Sequence, residues 1–551
     1  MKPLILIGVL AGFLVSGCTA APVNPTQAVA APTATATYVA LTPTLAPPPL
    51  TTTPTSTPQP RLTEPPSGPD LENFHSSLNP LTGLRQQDPV MLDLPAVLVS
   101  ISNMPPTARP QAGTSFADWI YEMFIGEGTT RFMAVFYGDL PRRIPNDRGG
   151  CELNKTTFKL SRTWVGNRVW LDENQDGVQD PWEAGVSGVC ITLKSAAGDQ
   201  LISSTSTDSN GYYAFDASAL SSGVNYTLVF KLPPAYQFSP PGVGDDDHDS
   251  DATPPKGEAL FTFTGQVDKS LDAGLLLVKP GPIDYAGSDI AHERTYVGPI
   301  RSGRLTYNDF VQMFPAGCLV YASAGEGIRQ QLTPCEIIQG EQPQISPNTA
   351  LLDVSHLKEL AQKSRIPNQP VNYSGHLFDP IPPAGGEPAR SLWVYFHLYS
   401  QSYWEYDPVS GSYLRQTDDG DGKGNVHPDT DRLTGRQLAF QNVVVIMADY
   451  EVFRHGQYDI ALCCGLEGYA FLFRDGQMYR IRWSTNNGAW EEQTGLRRPL
   501  HLTSADKLPF PLKPGRTWVA VMTTNSFIKD YLNDGRWQAV FSMPNDFAPQ
   551  K

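Results

Sequence analysis

A block in the middle of the chain carries its own charge and its own periodicity, and this limits the fold more than any other feature. Residues 165–277 hold 16 Asp and Glu against 5 Lys and Arg, a net of −11 in a chain of 551 residues whose total is −15. Within the block apolar residues alternate at period two in Arg168-Val169-Trp170-Leu171, Val189-Cys190-Ile191-Thr192-Leu193, Tyr226-Thr227-Leu228-Val229-Phe230 and Leu260-Phe261-Thr262-Phe263. Short alternating runs separated by Gly, Pro, Asn and Asp specify a small β-sandwich. Nearly neutral chain continues on both sides, so the sandwich is a module of its own inside a longer chain. At roughly 150 residues per domain, the whole chain has room for three to four units.

The first guest strand runs into Asp172-Glu173-Asn174-Gln175-Asp176-Gly177-Val178-Gln179-Asp180-Pro181-Trp182-Glu183. Oxygen side chains at loop positions 1, 3, 5, 9 and 12, with Gly at 6, match the spacing of a calcium loop. Ca2+ takes about six to eight hard oxygens. Asp172, Asn174, Asp176, Asp180, Glu183 and the Val178 carbonyl can supply them where Gly177 permits a sharp reversal. The flanks are strand-like, so the expectation is a calcium loop carried on β structure rather than between helices. A second acidic run, Asp245-Asp246-Asp247 with Asp249 and Asp251, reads as a soluble loop.

The loop, together with Gly188-Val189, Thr207-Asp208-Ser209-Asn210-Gly211-Tyr212-Tyr213-Ala214-Phe215 and Leu271-Asp272-Ala273-Gly274, resembles the SdrD B-like repeat of bacterial surface adhesins. The resemblance implies an immunoglobulin-like sandwich stiffened by calcium and used as a spacer or display unit. Against the soluble-loop reading of the second acidic run, it implies equally a second ion there.

At the amino terminus, Met1-Lys2 precedes an apolar run from Leu4 to Val15 that is too short to span a bilayer, which needs about 20 apolar residues, so residues 1–18 read as a signal peptide. Its end, Val15-Ser16-Gly17-Cys18, resembles a bacterial lipobox. That resemblance implies a diacylglycerol on Cys18 and an extracytoplasmic chain held to the membrane by lipid alone. Residues 19–70 are rich in Thr, Pro and Ala with no charge before Arg61, the composition of a disordered, extended stalk. An exported chain permits disulfides. Of Cys151, Cys190, Cys318, Cys335, Cys463 and Cys464, the favoured pair is Cys318 with Cys335, which closes a short loop. Adjacent Cys463 and Cys464 read as buried thiols in a strand.

The flanks of the guest read as α/β. Pro95 to Ile101 and Arg131 to Phe136 are strand-like, Phe116 to Phe124 reads as a short amphipathic helix, and downstream Tyr307 to Phe314 and Leu351 to Lys363 read as helices around a strand at Cys318 to Tyr321. From Ser391 onward the alternation is that of a β-rich domain, with a hairpin turn at Arg474-Asp475-Gly476-Gln477. Asn79-Pro80-Leu81-Thr82-Gly83-Leu84, Asn103 with Ala108-Arg109-Pro110-Gln111-Ala112-Gly113, and Ala117-Asp118-Trp119-Ile120-Tyr121-Glu122 leading to Thr130-Arg131-Phe132 resemble the YerB-like lipoprotein family, known by its DUF3048 domain. In that family a Gly-Pro-x-Arg-Ser-x-Arg segment almost directly follows the strand ending here at Asp139-Leu140-Pro141. Here it is Gly298-Pro299-Ile300-Arg301-Ser302-Gly303-Arg304, roughly 155 residues later. The resemblance therefore implies a guest inserted in a host loop, which is physically easy when the guest's termini lie close together. The expected organisation is a first host part over 75–145, the guest over 165–277, a second host part over 290–390, a β-rich carboxy-terminal domain over 391–521 and an extension over 522–551. The fold class is a multidomain α/β host plus a β-rich domain, with an inserted immunoglobulin-like sandwich and a disordered stalk.

The chain carries no G-x-S-x-G elbow, P-loop, H-E-x-x-H or CxxC pair. Its histidines are scattered and read as structural or exposed. The acidic balance argues against nucleic acid, which is bound by neutralising phosphates with Lys and Arg. What remains is arginine-centred. Arg109, Gln111, Arg131, Arg301, Ser302 and Arg304 are expected to converge on a phosphorylated or carboxylated envelope ligand, since planar guanidinium forks suit such groups. The opposing reading pairs Arg109 and Arg131 with Asp118 and Glu122 to lock the domain. The resulting function is a lipid-anchored envelope protein that binds or scaffolds without catalysis, with Ca2+ as its ion and an anionic envelope ligand or a surface protein as partner. The competing reading is an enzyme acting on cell-wall polymer or a phosphorylated precursor through the arginine site.

Overall fold

The computed structural model describes residues 66–544 apart from 142–162, 278–295, 339–349 and positions 87, 187, 198–199, 209, 233–235, 409, 434–436 and 455–456. The expected signal peptide, Cys18, almost all of the stalk and Cys151 lie outside the described residues.

Val97–Ser102 (β1) is buried at every position. It pairs antiparallel with Thr129–Phe136 (β3), Val97 opposite Phe136. On its other side it pairs parallel with Cys318–Tyr321, Val97 opposite Cys318. A strand from beyond the guest therefore completes the sheet begun before it. Trp119–Gly126 (β2) pairs antiparallel with β3 and parallel with Thr517–Thr523, which lies in turn beside Asn442–Arg454. Glu467–Arg474 and Gln477–Ser484 continue the sheet as a hairpin whose turn is Asp475-Gly476. Among the described residues this sheet has twelve strands.

A seven-stranded sheet that includes Ser391–His397, Ser400–Asp407 and Ser412–Asp418 shares one core with it, joining Trp404, Tyr413 and Phe440 to Phe132, Val443 and Trp518. The opposite face of the large sheet is covered by the helix Tyr307–Met313, whose Phe310 ring meets Tyr121 edge-on at 4.9 Å. Double coverage explains one departure from expectation. Phe116 to Phe124, expected as a helix, is a 3-10 turn at Thr114–Phe116 followed by β2, with all eight strand residues buried. A strand covered on both faces is apolar at nearly every position and loses the alternation that would mark it. For the same reason the host is β-dominated rather than an even α/β mixture. Its longest described helix is Val354–Ser364, capped by the Asp353 carboxylate accepting from the Ser355 amide. Residues expected as an extension supply Phe527–Asp530 and Arg536–Val540 to the seven-stranded sheet.

The guest packs a four-stranded sheet, in the order Glu258–Thr262, Asn225–Phe230, Cys190–Ser195, Leu201–Ser206, against a three-stranded one of Tyr236–Phe238, Ala273–Leu277 and Val169–Leu171. Val169, Ile191, Leu228, Phe230, Ala259 and Leu275 fill the space between. Cys318 and Cys335 are bonded, as the short loop predicts, and Cys190 is disulfide-bonded as well. Cys463 and Cys464 depart from expectation. They are bonded to each other and half-buried in a turn, where the Leu462 and Cys463 amides donate to Asp309 instead of to a neighbouring strand.

Candidate functional site

The acidic loop leaves the guest strand Val169–Leu171 at Asp172 and returns at Glu183, both 1% exposed. Gly177 makes the reversal with φ +79°, and a Cβ there would stand 2.9 Å from the Pro240 carbonyl, so conformation and space both demand glycine. Asp172 accepts from the Gly177 amide at 3.0 Å and the Ser239 hydroxyl at 2.6 Å. The Asn174 side-chain amide bridges Asp176 at 2.9 Å and Asp180 at 3.1 Å. Glu183 accepts from the Glu173 and Asp180 amides at 3.0 and 2.9 Å. Even so, burial, reinforced by the charges of Asp172 and Asp180, pushes the Glu183 carboxyl up to about 9. Carboxylates buried this close together repel, and a hard cation among their oxygens would relieve that repulsion.

The second acidic run lies against the first. The Gln179 amide donates to the His248 carbonyl at 2.6 Å, and Val178 bridges Asp249. Carboxylate oxygens of Asp246, Asp249 and Asp251 come within 4.8 Å of one another. Burial first, then Asp249 and Asp246, pushes Asp251 up to about 7.

One residue of the loop points out of the guest. Trp182, 1% exposed, belongs to the host core beneath the large sheet. Its carbonyl accepts from the Arg85 amide at 2.9 Å, and Arg85 reaches Glu173 at 3.7 Å. From the host side Arg516 donates to Asn210 at 2.5 Å and pairs with Asp139 at 3.4 Å. A cavity of about 230 Å³ remains between the two, lined by cations and carboxylates alike, among them Arg85, Asp88, Asp139, Arg168, Asp180 and Arg516. Sequence reasoning about the loop passed over Trp182. Its signal was a large apolar ring in an otherwise acidic run.

The arginine set does not converge. Successive residues of a strand face opposite ways, and β3 sends Thr130 to one side of the large sheet and Arg131 to the other. On the Thr130 side the Arg109 guanidinium holds the Asn103 carbonyl and amide oxygen at 3.0 Å and Asp418 at 2.9 Å. Asn103 donates to Thr130 at 2.7 Å, and Thr130 to Glu122 at 2.9 Å. Glu122 is 3.5 Å from Arg415, which also pairs with Asp429. Gln111 donates to the Ser102 carbonyl at 3.0 Å and belongs to this group. On the far side Arg131 donates to Ser302, near Arg301 and Arg304. The alternative pairing fails too. Asp118 is held by the Asn79 amide at 2.8 Å and the Tyr137 N–H at 2.7 Å, and the partner of Glu122 is Arg415. Registers of β2 and β3 decide this, and they were not legible in the motifs.

Fold and site thus define a class: a β-rich host with an immunoglobulin-like guest set into it through an acidic loop. Family models make this particular. The models described as the N-terminal and C-terminal domains of "Protein of unknown function (DUF3048)" match residues 81–156 and 393–519, and that of the SdrD B-like domain matches 163–275 between them. The chain therefore carries DUF3048 domains flanking an SdrD B-like domain. Serine-aspartate repeat-containing protein C of Staphylococcus aureus (strain MRSA252) is 36% identical over 131 residues, 24% of this chain and 14% of that protein. Serine-aspartate repeat-containing protein F of Staphylococcus epidermidis (strain ATCC 12228 / FDA PCI 1200) is 38% identical over 132 residues, 24% of this chain and 8% of that one. The matched stretch is thus a small part of either relative. Among solved structures, the YerB protein from Bacillus subtilis aligns over 81% of this chain and 96% of its own, at 16% identity and a TM-score of 0.42.

Proposed function

We propose that this chain is an extracytoplasmic, lipid-anchored protein of the bacterial cell envelope with a non-catalytic scaffolding or binding role, in which the host presents a calcium-stiffened sandwich. The observation that carries the reading is the 172–183 loop: it has the oxygen spacing of a calcium loop, and it buries its first and last carboxylates, of which Glu183 is pushed up to about 9 by burial and the neighbouring aspartates. The likeness of the guest to the serine-aspartate repeat-containing proteins supports a surface role. The lipobox resemblance at Cys18 supports the anchor. Asp172, Asn174, Asp176, Asp180, Glu183 and the Val178 carbonyl would hold the ion, and its chemistry there is structural: it neutralises the carboxylates and fixes the loop.

Differential scanning calorimetry of the purified protein tests this. EDTA is expected to lower the melting temperature, excess Ca2+ to restore it and Mg2+ to fail, because Mg2+ sheds its water reluctantly. Asp176→Ala should melt alike with and without chelator. In the expressing cell, Cys18→Ala should move the protein from the membrane fraction to the soluble one. A melt that ignores EDTA rejects the calcium reading, and unaltered fractionation rejects the anchor.

A further inference from the structure

The buried arginines of the host follow a pattern with one exception. Arg415 is paired with Glu122 and Asp429, Arg474 with Asp475, and Arg516 with Asp139. Arg131, 4% exposed, has no such partner among the described residues. Among the described residues its guanidinium meets neutral oxygen, the Ser302 carbonyl at 3.1 Å and hydroxyl at 3.4 Å and the Tyr307 hydroxyl. The turn that carries Ser302 adds two more cations, Arg301 and Arg304, half-buried and close enough for their charges to act on Arg131. The Nε–H groups of Arg131, Arg301 and Arg304 are all shielded from solvent without a hydrogen-bond acceptor among the described residues.

Each feature is costly in isolation. A shielded donor left unpaired loses roughly 1–3 kcal/mol of hydration. Like charges gathered without a counter-ion repel, and the acidity of Arg131 shows it: burial first, then Arg304 and Arg301, bring it down to about 10. Arg301 is lowered by burial and by Arg304. Asp459 senses Arg304, but it is engaged by the Thr306 hydroxyl and the chain around it. The turn is nevertheless held firmly. The Arg301 amide donates to the Ser100 carbonyl at 2.9 Å, the Ser100 hydroxyl meets Tyr307 at 2.8 Å, and the Gly303 amide donates to the Ser323 carbonyl at 2.6 Å. A rigid turn that displays unpaired cations is preorganised for an anion.

We propose that Arg131, Arg301 and Arg304, with the Ser302 hydroxyl, form a phosphate-binding site on the face of the large sheet opposite Arg109. Phosphate fits better than a single carboxylate because none of the three guanidiniums forms an ion pair among the described residues, and Asp459 acts only on Arg304. A doubly charged group with several acceptor oxygens offsets more of that charge and accepts from more of the forks. The site is separate from the calcium loop and stands or falls independently of it. Its phosphate could arrive as the free ion or as a repeating group along an envelope polymer, and the arms of the test tell these apart.

Isothermal titration of the purified protein at constant ionic strength, with sodium phosphate, a short linear polyphosphate and sodium acetate as probes, decides the matter. Saturable binding of phosphate or polyphosphate is expected, weakened at least tenfold in Arg301→Gln/Arg304→Gln and unchanged in Arg480→Gln, which removes an exposed arginine elsewhere in the same sheet. Should the double variant fail to fold, Arg304→Gln alone serves, with a severalfold loss expected. Polyphosphate binding far tighter than phosphate supports the site and points to a polymer; parity supports the site and points to the free ion. Acetate binding as well as phosphate, binding equal in the arginine variants, or no saturable response to either phosphate probe overturns the proposal.

Discussion

The residue that best shows how burial sets chemistry in this host is His376. It is 2% exposed, its ring stacks on Trp119 at 4.6 Å, and neither ring nitrogen has a hydrogen-bond partner among the described residues. Burial first, then His501 and Arg498, hold it down to about 3, against about 6.5 for an unfolded chain. The folded state therefore keeps His376 neutral where the unfolded state takes up a proton. Its contribution is complete above about pH 6.5 and is lost as pH falls toward 3. His376→Phe, which keeps the stack and removes the titration, is expected to flatten the acid side of the stability curve. Urea midpoints at pH 7 and pH 4.5 measure this, and an equal drop in parent and variant would refute it. The sequence left this histidine as structural or exposed, since it stands in no motif; its burial depends on Trp119, distant in sequence and unreadable from it.

Between elements, Arg415 is the clearest tie. It lies on Ser412–Asp418 of the seven-stranded sheet and reaches Glu122 on β2 of the twelve-stranded one. Its guanidinium sits 4.5 Å from the Trp518 ring centroid and 5.4 Å from that of Phe132. Arg415→Met fills the space but abandons the Glu122 and Asp429 carboxylates inside the core, where breaking a buried pair costs about 3–5 kcal/mol. A fall in the denaturation midpoint of that order is expected, and Glu122→Gln added to Arg415→Met should recover part of it. A neutral single variant would show that the network contributes nothing to holding the sheets. Elements also mark the limits of sequence reading. The hairpin at Asp475-Gly476 and the helix at Tyr307–Met313 are local in origin and were legible. Strand β2 was not, because coverage of both faces leaves no polar side to set its period. The split of the arginines was hidden for a related reason: alternation along β3 is visible in sequence, but which partner each face receives is not.

At the scale of the molecule, guest and host are joined by a residue of the acidic 172–183 loop itself. Trp182 fills a place in the host core while its neighbours Asp180 and Glu183 turn back into the guest, so the state of the loop reaches both bodies. Trp182→Ala should cost about 3–5 kcal/mol, the usual range for emptying a buried tryptophan site. It should also turn one calorimetric transition into two, one per body, of which only the guest's responds to EDTA. A single unchanged transition would mean that the tryptophan does not couple them. Much of this protein was determined by sequence alone: a sandwich with its own charge and period, the oxygen spacing of its loop, and a host motif displaced far along the chain. These depend on neighbours a few residues apart, whose spacing and polarity act locally. Tertiary structure alone decided which strands join the two host pieces, expected as one body, into a shared sheet, that Arg131 is parted from Arg109 by that sheet, and that a tryptophan of the guest belongs to the core of its host. Each of these depends on register and packing between segments distant along the chain, where the free energy comes from surfaces meeting and not from the order of the residues that bear them.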